Sequence, residues 1–133
     1  MAFVLDASVA IAWFVGKQAT AYTNRLRLKA KSEPLHVPAL WRLEVVNAVW
    51  TLQRRSQISE RAADTSVDLL SSLALTEHAN ERSMRETLAL ARRHGLSSYD
   101  AIYLALASDL RLPLACKDGA LRDALPTAGI KLA

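Results

Sequence analysis

The sequence predicts an α/β fold: five short parallel strands in one sheet, flanked by helices on both faces, in a single domain spanning residues 1–133. Three observations carry this. Apolar runs of three to five residues alternate with stretches of helical periodicity, the pattern of a parallel sheet and not of hairpins. No repeat, low-complexity tract or Pro/Gly-rich linker interrupts that alternation. The length, 133 residues, suits one domain, and at 51% hydrophobic and 23% charged the chain can bury its own core.

Taken in order, Ala2–Leu5 is a short buried strand that stops at Asp6. Helical patterns follow over about 8–15 and 19–31. Leu35-His-Val37 is the second strand, ended by Pro38, a residue that also suits the first turn of a helix. That helix covers about 39–54, and another covers 59–71 with Ser59 as its N-cap. Leu73–Leu75 reads as the third strand. A helix over about 80–93 closes at Gly95, and the next covers 98–110. Leu112–Cys116 is the fourth strand, a short helix spans 119–125, and Ile130–Leu132 is the fifth strand after Gly129.

Composition narrows the functional classes. Cys116 is the sole cysteine, so no disulfide forms within the chain, which fits a reducing cytoplasm. The longest nearly apolar run, Ala7–Gly16, is too short for a membrane crossing of about 20 residues. No Lys or Arg precedes it, as a secretory signal would require. The expectation is a cytoplasmic protein with no membrane partner. Neither G-x-x-x-x-G-K-[ST] nor G-x-G-x-x-G occurs, so no nucleotide cofactor is indicated.

Net charge is +4, from 17 Lys and Arg against 13 Asp and Glu, and the bases are clustered. Between Ala7 and Ser32 there is no acid, whereas Lys17, Arg25, Arg27, Lys29 and Lys31 lie there. A basic surface around a concentrated acidic pocket suits a polyanionic substrate held by a metal. A plain solvated basic helix would show the same charges.

Four acids are candidates for that pocket. If the first and fourth strands are neighbours where the strand order reverses, Asp6 and Asp118 arrive in one crevice at their carboxyl ends. Each acid also has a structural reading. Asp6 could cap the helix near Ser8, Asp118 the helix at Gly119, and Ser97-Ser-Tyr-Asp100 has the form of a capping box. Glu44 fits the structural reading least. It shares a narrow polar stripe with Asn47, Thr51, Arg54 and Arg55. Trp41, Val45, Ala48, Val49 and Leu52 cover one flank of that helix, and Leu43, Val46 and Trp50 the other. Such a stripe suits the wall of a cleft better than a solvated face.

Carboxylates gathered this way repel, by roughly 3 kcal/mol for a pair about 5 Å apart at an effective dielectric of 20. Protons or a divalent cation must neutralise them. An all-oxygen donor set favours Mg²⁺ or Mn²⁺ over zinc, and a bound water can then attack a phosphodiester. His36, His78 and His94 show no ligand spacing and read as surface or packing residues.

These residues resemble a known family. Val4-Leu-Asp-Ala-Ser-Val9 is similar to the opening of PIN-domain nucleases, and Glu44-Val-Val-Asn47 to their E-x-x-N helix. Gly95–Ala107 is close to the long signature of VapC-type toxins, and Leu114–Asp118, with Leu121 after it, resembles their final acidic motif. The match runs through the chain in the family's order and spacing. It implies a PIN-like fold with a five-stranded parallel sheet and a Mg²⁺- or Mn²⁺-dependent endoribonuclease. It also implies a homodimer that arrests growth by cleaving RNA until a VapB-type antitoxin fills its active-site groove. By position, Asp6, Glu44, Asp100 and Asp118 are the catalytic and metal-binding acids, Asp6 and Asp100 first among the ligands, with Ser8 and Asn47 as supporting polar groups. The basic segment, with Arg25, Arg27, Lys29 and Lys31, would then contact RNA phosphates or the antitoxin. One departure is Cys116, where the family usually has Thr or Ser two residues before the last acid. A thiol donates hydrogen bonds poorly, so weaker metal binding at Asp118 is expected.

Two other readings compete. Asp6 and Lys117-Asp118 are similar to haloacid-dehalogenase phosphatases, but those place a second Asp two residues after the first, where this chain has Ser8. An inactive PIN-like module that only engages a partner protein would keep the fold without the chemistry. Metal-dependent RNA cleavage separates these readings.

Overall fold

The computed structural model describes residues 1–133. Its strands are β1 (Phe3–Leu5), β2 (Leu35–Pro38), β3 (Leu75–His78) and β4 (Leu114–Ala115). Its helices are α1 (Ala7–Phe14), α2 (Ala21–Lys29), α3 (Trp41–Arg54), α4 (Glu60–Ser71), α5 (Met84–His94), α6 (Ser98–Leu110) and α7 (Ala120–Ala128). The sheet is parallel throughout, in the order β3-β2-β1-β4. β1 is therefore interior, and its three residues are all buried, as expected of a strand covered on both faces.

The sheet has four strands, not five. Ile130–Leu132 makes a single bridge, Leu132 beside Leu114, and no ladder. Two local causes account for this. β4 is only two residues long, because Pro113 has no N–H to extend it. On the other side, α7 runs past the expected residue 125 to Ala128, and the Ile130 N–H is used in bonding Leu125 O at 3.0 Å. β3 also begins two residues later than expected. The Leu73 N–H returns to Leu70 O, so that residue closes the end of α4 instead of entering the sheet. The edge position of β3 lets it carry Thr76, Glu77 and His78, which hid it from a search for apolar runs.

Two helical groups enclose the sheet. α1 packs against α2, α3 and α4, while α6 lies on β1, β2 and β4 between α5 and α7. α6 is buried without a break from Ala101 to Ala107, and small residues at 101, 105 and 107 let it approach the strands. Its N-terminus is capped by Ser97, whose hydroxyl accepts the Asp100 N–H at 3.1 Å. His36 and His78 join β2 to β3 through a 2.9 Å hydrogen bond, which makes them packing residues.

Candidate active site

The strand order reverses at β1. The chain adds β2 and β3 on one side of it and β4 on the other, with Val4 beside Leu114 and Leu5 beside Ala115. Asp6 is the first residue past β1, and its N–H bonds Ala115 O at 3.0 Å. It thus stands in the crevice at the carboxyl ends of the two strands, where parallel sheets bind ligands.

The Asp6 carboxylate accepts the Ser8 N–H at 3.3 Å and a hydrogen bond from the Ser8 hydroxyl. It caps α1 and is aimed by the same contacts. Burial raises its pKa, the Ser8 bonds offset part of that rise, and the charge of Asp100 adds to it. Glu44, in the first turn of α3, is likewise pushed up by burial and then by Asp6 and Asp100, against a lowering influence from Tyr103. Asp100, in the first turn of α6, is pushed up by burial. Its side chain does not complete the capping box: Ser97 caps the Asp100 N–H, but no bond returns from the carboxylate to the Ser97 N–H. That carboxylate is left for the crevice.

Asp6, Glu44 and Asp100 therefore feel one another's charge. No three of the chain's His, Cys, Asp or Glu side chains stand as a ready-made ligand shell. The donor set nevertheless fits a hard cation. Glu44 Oε1 is buried with no hydrogen-bond partner, a cost that a cation would remove. The Tyr103 hydroxyl near it is also buried without a partner, and its pKa is driven up by burial, Asp6 and Glu44, so it remains a neutral donor.

Asp118 stands apart. Its side chain is 94% exposed and pairs with Arg122 Nη1 at 2.9 Å. It caps nothing, because Gly119 begins α7 without a side-chain cap. Behind it, Cys116 is buried, and burial together with Asp6 pushes its thiol up to about 12. A neutral thiol is a weak hydrogen-bond donor, and the contact that holds Asp118 comes from Arg122 instead.

The fold and the crevice can be compared with known proteins. A family model described as the PIN domain matches residues 3–124. The chain belongs to the PIN-domain family. Among similar PIN proteins, ribonuclease VapC3 of Pyrobaculum aerophilum is 30% identical over 128 residues, covering 95% of this chain and 96% of that one. Ribonuclease VapC1 of Mycobacterium tuberculosis is 33% identical over 122 residues, covering 91% and 89%. These likenesses identify the chain as a PIN-domain protein of the VapC type. Two solved structures share the fold. PAE2754 of Pyrobaculum aerophilum matches with a TM-score of 0.70 at 23% identity over 93% of this chain and 79% of that one. VapBC2 of Rickettsia felis, bound to a promoter DNA fragment, matches with a TM-score of 0.66 at 16% identity over 100% and 98%.

Within this PIN domain the remaining sequence candidates divide. Ser8 contacts Asp6, as described. Asn47 is exposed on α3, one turn from Glu44, and its carbonyl accepts the Thr51 hydroxyl at 2.8 Å. In the basic segment, Arg27 donates to Trp13 O at 2.8 Å and lies 5.0 Å over the Phe14 ring. Lys29 pairs with Glu33 at 3.8 Å and lies 5.7 Å over Phe3. Both have partners within the fold, although Arg27 is exposed, as are Arg25 beside Tyr22 and Lys31. Sequence reasoning missed Tyr103 and Arg122. Tyr103 is one turn from Asp100 on α6, and Arg122 is four residues from Asp118, so helical spacing was the signal for both.

Proposed function

We propose that this PIN domain works as a single-domain, Mg²⁺-dependent endoribonuclease, with Mn²⁺ as a substitute, and is the toxin of a VapBC-type toxin–antitoxin pair. The observation that carries the reading is the convergence of Asp6, Glu44 and Asp100 at the reversal of strand order, each with its pKa raised. Asp6, Asp100 and Glu44 would hold the cation, and Asp118 would complete the set after turning from Arg122. When bound, such a cation polarises the phosphodiester and supplies an attacking water near neutral pH. Ser8 fixes the orientation of Asp6. Tyr103, buried near Glu44 and held neutral, would offer a hydrogen-bond donor at the edge of the site. The VapC relatives are named ribonucleases, and one solved neighbour is a VapBC assembly, which supports RNA as substrate and a VapB-type antitoxin as partner.

The proposed site of action is the cytoplasm. No helix is long and apolar enough to cross a membrane. The proposed assembly is a homodimer through the open face of α3.

The test is RNA cleavage by the purified protein with Mg²⁺, with excess chelator, and in the Asp6→Asn variant. Cleavage should require the metal and be lost on substitution. Equal cleavage in chelator removes metal dependence, and no cleavage under any condition favours the partner-binding module.

A further inference from the structure

The arginine that holds Asp118 is itself held. Arg122 Nε and Nη2 both donate to Cys116 O, at 3.1 and 2.8 Å, and fix the guanidinium at the end of β4. The same group lies 4.6 Å from the centre of the Tyr22 ring. Arg25 lies 5.3 Å from that ring and makes no ion pair. Two cations thus share one aromatic ring, and the only acid paired with either is Asp118. Tyr22 Oη is buried without a partner, and Cys116 directly follows Ala115, whose carbonyl accepts the Asp6 N–H at 3.0 Å. A cationic, hydrogen-bonding corner therefore adjoins the acidic crevice.

We infer that Tyr22, Arg25 and Arg122 form a binding subsite for an RNA backbone phosphate beside the acids, with Asp118 as its built-in competitor. The inference rests on the ribonuclease reading and goes beyond it in assigning the neighbouring phosphate. Three considerations lead to a phosphate. Guanidinium groups match its oxygens in bidentate geometry. The corner has a cation to spare after Asp118 is counted. An ion pair whose acid is 94% exposed is weakly held and gives way to a multiply charged strand. A phosphate on Arg122 displaces the Asp118 carboxylate, which is then free to turn toward Asp6 and Asp100. Substrate arrival and completion of the acid set become one event. Without substrate, the same pair keeps a fourth negative charge out of a site that already holds three.

The test is binding of a short, fluorescent single-stranded RNA in excess chelator, read by anisotropy across a salt series. The proteins are the unaltered chain and the Arg25→Gln, Arg122→Gln and Asp118→Asn variants. Each arginine variant should bind several-fold more weakly, with the salt slope reduced by about 0.7. Asp118→Asn should bind more tightly than the unaltered chain, because Arg122 is no longer occupied. An Arg122 that only clamps the loop predicts no gain from Asp118→Asn. Asp118 and Arg25 are exposed, so those two variants test the subsite even if Arg122→Gln fails to fold. Cleavage by the unaltered chain with Mg²⁺ is measured in parallel. If it cleaves while the variants bind RNA as it does, the subsite is overturned and the ribonuclease reading stands. If the variants lose only the antitoxin, the corner belongs to the protein partner and the proposal is equally overturned. If the unaltered chain does not cleave, the ribonuclease reading fails first.

Discussion

Asp6, Glu44 and Asp100 each lie at a helix start, where a carboxylate is ordinarily stabilised, yet all three have raised pKa values. Burial, joined at Asp6 and Glu44 by the charge of neighbouring acids, outweighs the helix ends. Their ordinary values are 3.8 for Asp and 4.5 for Glu. An acid with a higher folded value binds its proton more tightly on folding. Its contribution to stability is full below the unfolded value and is lost as pH rises through the folded one. In chelator at pH 7, Asp6→Asn, Glu44→Gln and Asp100→Asn should therefore melt above the unaltered protein. The difference should shrink on acidification and vanish below about pH 4, where the carboxyl groups are protonated in both states. Asn at position 6 still caps α1, so loss of the cap does not mask the gain. A melting series against pH checks the sign, and variants that melt lower at pH 7 contradict it. With Mg²⁺, the same Asp substitutions should lower RNA cleavage by at least roughly 100-fold, as loss of one well-placed electrostatic group does.

At the scale of elements, α2 departs most from what its sequence suggests. Its basic residues read as one binding surface, but helical geometry sends them to different places. Arg27 ties α2 to α1 through Trp13 O and Phe14, and Trp13 Nε1 returns a bond to Thr23 O at 2.8 Å. Arg27→Ala should cost about 1 kcal/mol of stability and leave the salt dependence of RNA binding unchanged. Chemical denaturation and a salt series measure the two separately; a reduced salt slope would return Arg27 to the RNA surface. The helices were legible because their caps and periodicity are local: α6 has the bounds its pattern predicts, and Ser59 and Ser83 cap α4 and α5. The strands were less so, because β3 is polar and the last segment meets β4 only at Leu114, with the Ile130 N–H turned back to Leu125 O of α7. The acids at the reversal could be inferred from order alone, since Asp6 and Asp118 follow strands that are indeed adjacent. The orientation of Asp118 could not, because Arg122 decides it through space.

At the scale of the molecule, α3 faces two ways. Trp41, Val45 and Val49 are buried in the core, and Glu44 stands at the crevice. The opposite flank is open: Leu43, Val46 and Trp50 are 76%, 51% and 49% exposed, and Leu69 of the adjacent α4 is 43% exposed. α4 could have covered that flank, but it packs instead toward Trp41 and Val45, leaving a shallow groove edged by Val46 and Val67. An apolar face of this kind, ending in a tryptophan, suits a two-fold contact in which the same patch meets itself. Glu44 lies on the same helix, so joining two copies there would stiffen the element that carries it. Light scattering at micromolar concentration should give twice the 14.6 kDa protomer mass. Trp50→Glu should give the protomer mass without unfolding, because the ring is half in solvent already and leaves no core cavity. Circular dichroism verifies the fold. A monomeric unaltered chain, or a Trp50→Glu variant that remains dimeric, rules out this face as the interface.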